Sequence, residues 1–269
     1  MNDVAATVAP TWTWLNATLD LPDESFGLGK AFWGAATGFR PQLSSDNDPN
    51  YAVLQPETGT PYLWLQRLID GEPGVHLDLH VGPGASGSVD LAGAVRHAER
   101  HGARLVTQTS YAVMASPAGV PFCLLPDSGT NAPIAPAPAA WPGGRSRVDQ
   151  VCLDIASEAW DAECAFWAAL TGWPLRGDDA WARLWTPAAW PLRVLLQRRQ
   201  VGETSSHLDV SCDDRAAELA RWSDLGARVI GEGPRWTVVE TPGELVTCLT
   251  TRSPDTGRIP ADVPPPGAP

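Results

Sequence analysis

Internal repetition constrains this chain more than any other feature. Ala31-Phe32-Trp33-Gly34-Ala35-Ala36-Thr37-Gly38 recurs as Ala165-Phe166-Trp167-Ala168-Ala169-Leu170-Thr171-Gly172, at a spacing of 166 − 32 = 134. Leu19-Asp20-Leu21 matches Leu153-Asp154-Ile155 at the same offset. Leu65-Gln66-Arg67 matches Leu196-Gln197-Arg198, and His76-Leu77-Asp78-Leu79 matches His207-Leu208-Asp209-Val210, both at 207 − 76 = 131. Gly102-Ala103-Arg104 matches Gly226-Ala227-Arg228, and Pro117 and Cys123 match Pro242 and Cys248. The offset changes only between matched blocks, as loop deletions produce. A fixed long period in ordered blocks is the signature of domain duplication.

The composition between and after the copies sets boundaries. Residues 127–146 are rich in Pro, Ala and Gly and read as a partly extended linker. From Arg252 the chain runs into Pro-Pro-Pro-Gly-Ala-Pro, too poor in apolar residues to order itself. The expected domains are therefore 11–126 and 147–251, with a disordered tail over 252–269.

Each copy carries the same pattern. A strand (Trp12 to Leu19; Val148 to Ile155) leads to a helix carrying Phe32 and Trp33, or Phe166 and Trp167. Ser157 is a candidate cap for the second of these helices, and Gly38 and Gly172 stand where helices stop. Two β-type runs follow, Tyr51 to Gln55 with Tyr62 to Arg67, and Trp181 to Trp185 with Leu192 to Gln197. The His-Leu-Asp strand comes next. A second helix spans about Val89 to His101 or Asp214 to Leu225, the latter with Asp213 as candidate cap. Three short strands close each copy. One helix and a few strands cannot bury a sheet face alone, so two such half-modules must pair, leaving a concave face as a cavity.

This order, with His-Leu-Asp opening the second half and Ser116-Pro117-Ala118-Gly119-Val120-Pro121-Phe122-Cys123 closing it, resembles the vicinal oxygen chelate (VOC) superfamily. The closing segment is similar to the family's Asp-Pro-x-Gly-x-x-x-Glu stretch, in a glyoxalase-like branch where Cys replaces that Glu. The resemblance implies an α+β fold of two tandem VOC domains, each of two βαβββ modules forming a curved mixed sheet around a cavity. It also implies four sheet positions that hold a divalent ion in metal-dependent members. Carried over, these are Asn16, Gln66, His76 and Cys123 in the first copy and Gln150, Gln197, His207 and Cys248 in the second. None of the eight is a carboxylate, and neutral amide, imidazole and thiol groups hold hard divalent ions weakly. The expectation is therefore no metal and no cofactor, with a divalent metal as the secondary reading. Asp78 and Asp209 lie two residues beyond their histidines and share a face with them on a regular strand.

The resulting functional expectation is a protein that binds a small, partly aromatic or carbonyl-bearing molecule. His76 with Gln66 and His207 with Gln197 would be the polar fixtures, and Trp64 or Trp185 would cover the ligand's flat face. The second copy is favoured as the working cavity because Gln150 reaches further than Asn16. The alternative is a lyase, isomerase or dioxygenase using His76 or His207 as acid/base or metal ligand. Thirteen tryptophans against three tyrosines favour the binding reading, and the paired histidines the enzyme. A formal charge of −12 gives no footprint for nucleic acid or an anionic membrane surface. Five cysteines without a CxxC pair, and no readable signal peptide, suggest a cytoplasmic protein with unpaired thiols. The tandem copies would stand in for a homodimer of single domains, making the chain a monomer.

Overall fold

A computed structural model describes residues 9–44, 48–84, 87–129 and 133–260. The first copy supplies β1 (Trp12–Pro22), α1 (Phe26–Thr37), β2 (Arg40–Leu43), β3 (Tyr51–Gln55), β4 (Leu63–Leu68) and β5 (Gly74–Val81). It continues with α2 (Leu91–Arg100), β6 (Arg104–Gln108), β7 (Ala112–Ala115) and β8 (Pro121–Pro126). After β9 (Ala139–Trp141) the second copy repeats the order. It runs β10 (Gly144–Ala156), α3 (Trp160–Thr171), β11 (Leu175–Gly177), β12 (Trp181–Leu184), β13 (Arg193–Arg199) and β14 (Ser205–Cys212). It ends with α4 (Arg215–Asp224), β15 (Arg228–Gly233), β16 (Trp236–Glu240) and β17 (Val246–Thr250).

Each copy forms one mixed sheet. The first has the order β2-β3-β4-β1-β5-β8-β7-β6, and the second repeats it as β11-β12-β13-β10-β14-β17-β16-β15, with β9 added alongside β10. The fold is α+β, and the duplication extends to topology. Parallel pairing occurs at matched places: β5 with β8 aligns Asp78 with Cys123, and β14 with β17 aligns Asp209 with Cys248.

The sheets follow the copies, but compact packing does not. One unit comprises residues 1–16, 76–133 and 153–205, and the other 17–75, 134–152 and 206–269. Each unit thus joins the later half of one copy to the earlier half of the other. In the first unit, Phe122, Phe166 and Trp167 pack with ring centroids 5.1–5.8 Å apart. In the second, Phe32, Trp33 and Trp222 form an edge-to-face triangle at 5.1–5.7 Å. All six side chains are buried, so the repeated Phe-Trp pairs are core anchors rather than ligand-facing rings.

Local endings match the sequence signals in part. Both α1 and α3 stop at a left-handed glycine, Gly38 (φ 73°) and Gly172 (φ 71°), as the absence of a Cβ permits. Thr37 and Thr171 close the same helices by donating to the carbonyls of Trp33 and Trp167. Ser157 does not cap α3. It opens a short 3₁₀ turn, and its hydroxyl accepts from Arg198 Nε at 2.8 Å. The cap of α4 is Asp214, accepting from the Ala216 and Ala217 amides, because Asp213 is drawn away to Arg145. β2 and β11 are short, mostly exposed strands with no apolar alternation, so the sequence pattern did not show them. β9 is built within the proline-rich linker.

The turn before the last strand differs between the copies. Gly119 has φ 86°, and at 244 − 119 = 125, the offset of the two cysteines, the second copy has Glu244 at φ 63°. Among the described residues Glu244 is the one non-glycine with positive φ. Beyond it, residues 252–260 are described, Arg252 is buried, and 261–269 lie outside the described residues.

Candidate metal centre

β5 is buried along most of its length, and its alternation sets His76, Asp78 and His80 on one face. The parallel partner β8 brings Cys123 level with Asp78. His76 Nε2 lies 3.3 Å from Asp78 Oδ1, and one donor atom from each of His76, Asp78 and Cys123 lies within 4.8 Å of the others. Burial pushes the Cys123 thiol above its usual pKa, against the pull of its hydrogen bond with His76. Asn16 is buried on β1, and its amide nitrogen is 3.1 Å from His80 Nε2. Its Oδ1 has no partner among the described residues. Burial lowers the His80 pKa, which favours the neutral imidazole that such a contact needs.

The second unit repeats the construction on β14 and β17. His207 Nε2 lies 3.3 Å from Asp209 Oδ1 and 3.5 Å from Cys248 Sγ. Gln150, at the position of Asn16, donates from Nε2 to Asp209 Oδ2 at 2.6 Å, while its Oε1 is unpartnered among the described residues. Arg252 reaches the same carboxylate, with Nη1 3.1 Å from Asp209 Oδ2, and also pairs with Asp149. Burial alone would raise the Asp209 pKa, but His207 and Arg252 outweigh it and hold the carboxyl at about 2.

The Asp209 and Cys248 contacts of His207 do not make a nucleophilic Cys-His-Asp relay. A relay uses the two ring nitrogens for different partners, one for the thiol and one for the carboxylate. Asp209 and Cys248 both meet His207 at Nε2. An imidazole nitrogen, a carboxylate oxygen and a thiol sulfur within 4.8 Å of one another could hold a metal ion.

Of the positions carried over from sequence, His76 with Cys123 and His207 with Cys248 come together. Gln150 joins its cluster through Asp209, whereas Asn16 turns to His80. Gln66, on β4, belongs to the second unit and Gln197, on β13, to the first, each in the unit opposite its matched histidine. Trp64 is half-buried on β4 and Trp185 is exposed beyond β12, both outside the converging groups. A small cavity in the second unit, with Tyr62, Arg147 and Trp222 in its wall, includes neither His207 nor Cys248. Arg252 and Asp149 carried no sequence motif, and their one signal was their place in the repeat register.

A glyoxalase-like domain model matches residues 19–125 and again 150–250. The chain belongs to the glyoxalase-like domain family. Its fold is that of the VOC superfamily, and the similarity to solved structures spans both copies. The Mn(II)-bound glyoxalase from Novosphingobium aromaticivorans is 18% identical, with a TM-score of 0.65 over 93% of this chain and 84% of that one. An extradiol ring-cleaving dioxygenase from B. fuscum is 14% identical, with a TM-score of 0.61 over 96% and 76%. The 2,2',3-trihydroxybiphenyl 1,2-dioxygenase from Sphingomonas wittichii strain RW1 is 13% identical, with a TM-score of 0.57 over 90% of each chain. No curated protein sequence matches the chain. Among the described residues no helix is long and apolar enough to cross a membrane.

The expectation of no cofactor is corrected by these findings. A glyoxalase of the same fold is Mn(II)-bound, and donor atoms of this chain converge as metal ligands do. The expectation failed for a physical reason. The four inherited positions contain no carboxylate, but Asp78 and Asp209 supply one from two residues along the same strand face.

Proposed function

We propose that this chain is a metal-dependent VOC enzyme of the lyase, isomerase or dioxygenase type. Its first unit holds a divalent ion through His76 Nε2, the Asp78 carboxylate and the Cys123 thiolate. The observation that carries this reading is the convergence of those three buried donors. Nitrogen, oxygen and thiolate sulfur together suit Zn²⁺ or Fe²⁺ better than an all-oxygen set would. The buried, unpartnered Oδ1 of Asn16 adds a fourth group that wants a cation or a hydrogen-bond donor. When bound, a divalent ion supplies Lewis-acid polarisation of a carbonyl or hydroxyl oxygen. Asn16 Oδ1 would accept from the ligand's hydroxyl and orient it, and His80, whose Nε2 accepts from the Asn16 amide, would hold that amide in place. The substrate class is a small molecule with adjacent oxygens. We also read the chain as a monomer that acts on this small molecule alone.

The test is metal content after loading. Chain stripped with chelator and incubated with Zn²⁺ or Fe²⁺ should retain about one equivalent through gel filtration. His76→Ala and Cys123→Ala should each lose most of it while keeping wild-type circular dichroism. Retention equal to wild type in both variants would sink the assignment.

A further inference from the structure

The two clusters differ at positions that the repeat register identifies. Because 150 − 16 = 134, Asp149 stands where the first copy has Leu15, and because 248 − 123 = 125, Arg252 stands where it has Asp127. The second copy has thus exchanged an apolar residue for an acid, and an acid for a base. The two new residues pair with each other. The same guanidinium donates to Asp209 Oδ2, which also accepts from Gln150, while His207 faces Oδ1. Both oxygens of Asp209 are therefore engaged by donors, one of which is a permanent cation. A divalent ion held by His207, Asp209 and Cys248 would have to displace these donors and settle beside a buried positive charge.

The first copy presents the opposite sign at the matched place. Asp127 is held by the Thr13 hydroxyl at 2.6 Å and by the Gly129 amide at 3.0 Å. It adds negative charge near His80, where the second copy has a buried positive charge.

We propose that Arg252 is a built-in cation that takes the place of the divalent ion in the second unit, so that the chain holds one metal, in the first. The count of one rests on the metal reading of the first unit, whereas the exclusion by Arg252 stands on the second unit alone.

The experiment is titration of chelator-stripped chain with Co²⁺, followed by thiolate-to-cobalt absorption and by metal analysis after gel filtration. Wild type, His207→Ala and Arg252→Lys should each bind one equivalent. The double variant Asp149→Leu/Arg252→Asp rebuilds the Leu15 and Asp127 arrangement and should bind two, with the absorption about doubled. Asp149→Leu/Arg252→Met, which removes the pair without adding an acid, answers the same question should the first variant not fold. Two equivalents in wild type, or a single equivalent that His207→Ala abolishes, overturns the proposal. If wild type binds none, the first-unit reading fails by itself. One equivalent gained by the double variants then still supports exclusion by Arg252, and none gained overturns it.

Discussion

Replacing Arg252 by methionine removes a buried cation while leaving a side chain of similar length to fill its space. Arg252 is 7% exposed and its partners Asp149 and Asp209 are 0% and 5% exposed, so the substitution leaves two carboxylates buried without their counter-ion. Breaking a buried ion pair from one side costs about 3–5 kcal/mol. An independent figure comes from Asp209, whose pKa falls from 3.8 to about 2. At ~1.4 kcal/mol per pKa unit that is about 2 kcal/mol, what remains of the His207 and Arg252 contacts after the desolvation penalty. Because Arg252 also pairs with the buried Asp149, a loss of roughly 3–4 kcal/mol at pH 7 is expected. The sign of the pH dependence follows from a depressed folded-state pKa. The Asp209 contribution is fully present above about pH 4 and is lost as pH falls through about 2. The gap between wild type and Arg252→Met should therefore be widest near neutrality and narrow below pH 4. Urea denaturation at pH 7, 5, 4 and 3 measures it. A gap under ~1 kcal/mol at pH 7, or one that does not shrink in acid, would refute the argument. Adding Asp149→Leu to Arg252→Met should recover part of the loss, since the pair is then removed from both sides.

Three further outcomes are expected. Glu244→Gly should stabilise the chain by about 1 kcal/mol in urea or thermal denaturation, because Glu244 is exposed and pays a left-handed backbone cost that glycine avoids. Gly119→Ala should destabilise by a similar amount, since nothing within 4 Å obstructs a Cβ and only the backbone at φ 86° resists it. Static light scattering at micromolar concentration should give the 28.7 kDa of a single chain, and a stable dimer mass would contradict the monomer reading.

The fold was legible because duplication presents every signal twice. The Phe-Trp helices, the His-Leu-Asp strands and the cysteine-bearing last strands recur in order, and both sheets repeat that order. The compact units were not legible. The half-modules of the two copies are alike, so sequence matching does not say which halves pack together. That information lies in side-chain fit, as where Trp222 of the second copy meets Phe32 and Trp33 of the first. Boundaries shifted where one polar residue had two suitors: Asp213 serves Arg145, leaving Asp214 to cap α4.

The site was half legible for a related reason. Histidine and cysteine stood out as chemistry-bearing residues at matched positions, and strand alternation set Asp78 and Asp209 on their face. What the sequence could not weigh was charge arriving from distant segments. Arg252 looked like the first residue of a proline-rich tail, yet it is buried against Asp149 and Asp209, more than 40 residues away in the chain. Gln150 favoured the second copy as the working site because its amide is the longer. Its amide nitrogen is spent on Asp209, beside the guanidinium, whereas that of the shorter Asn16 turns to His80, and both amide oxygens are without a partner among the described residues. Copies with the same His, Asp and Cys can therefore diverge through their neighbours: where the first copy has the acid Asp127, the second has the buried base Arg252.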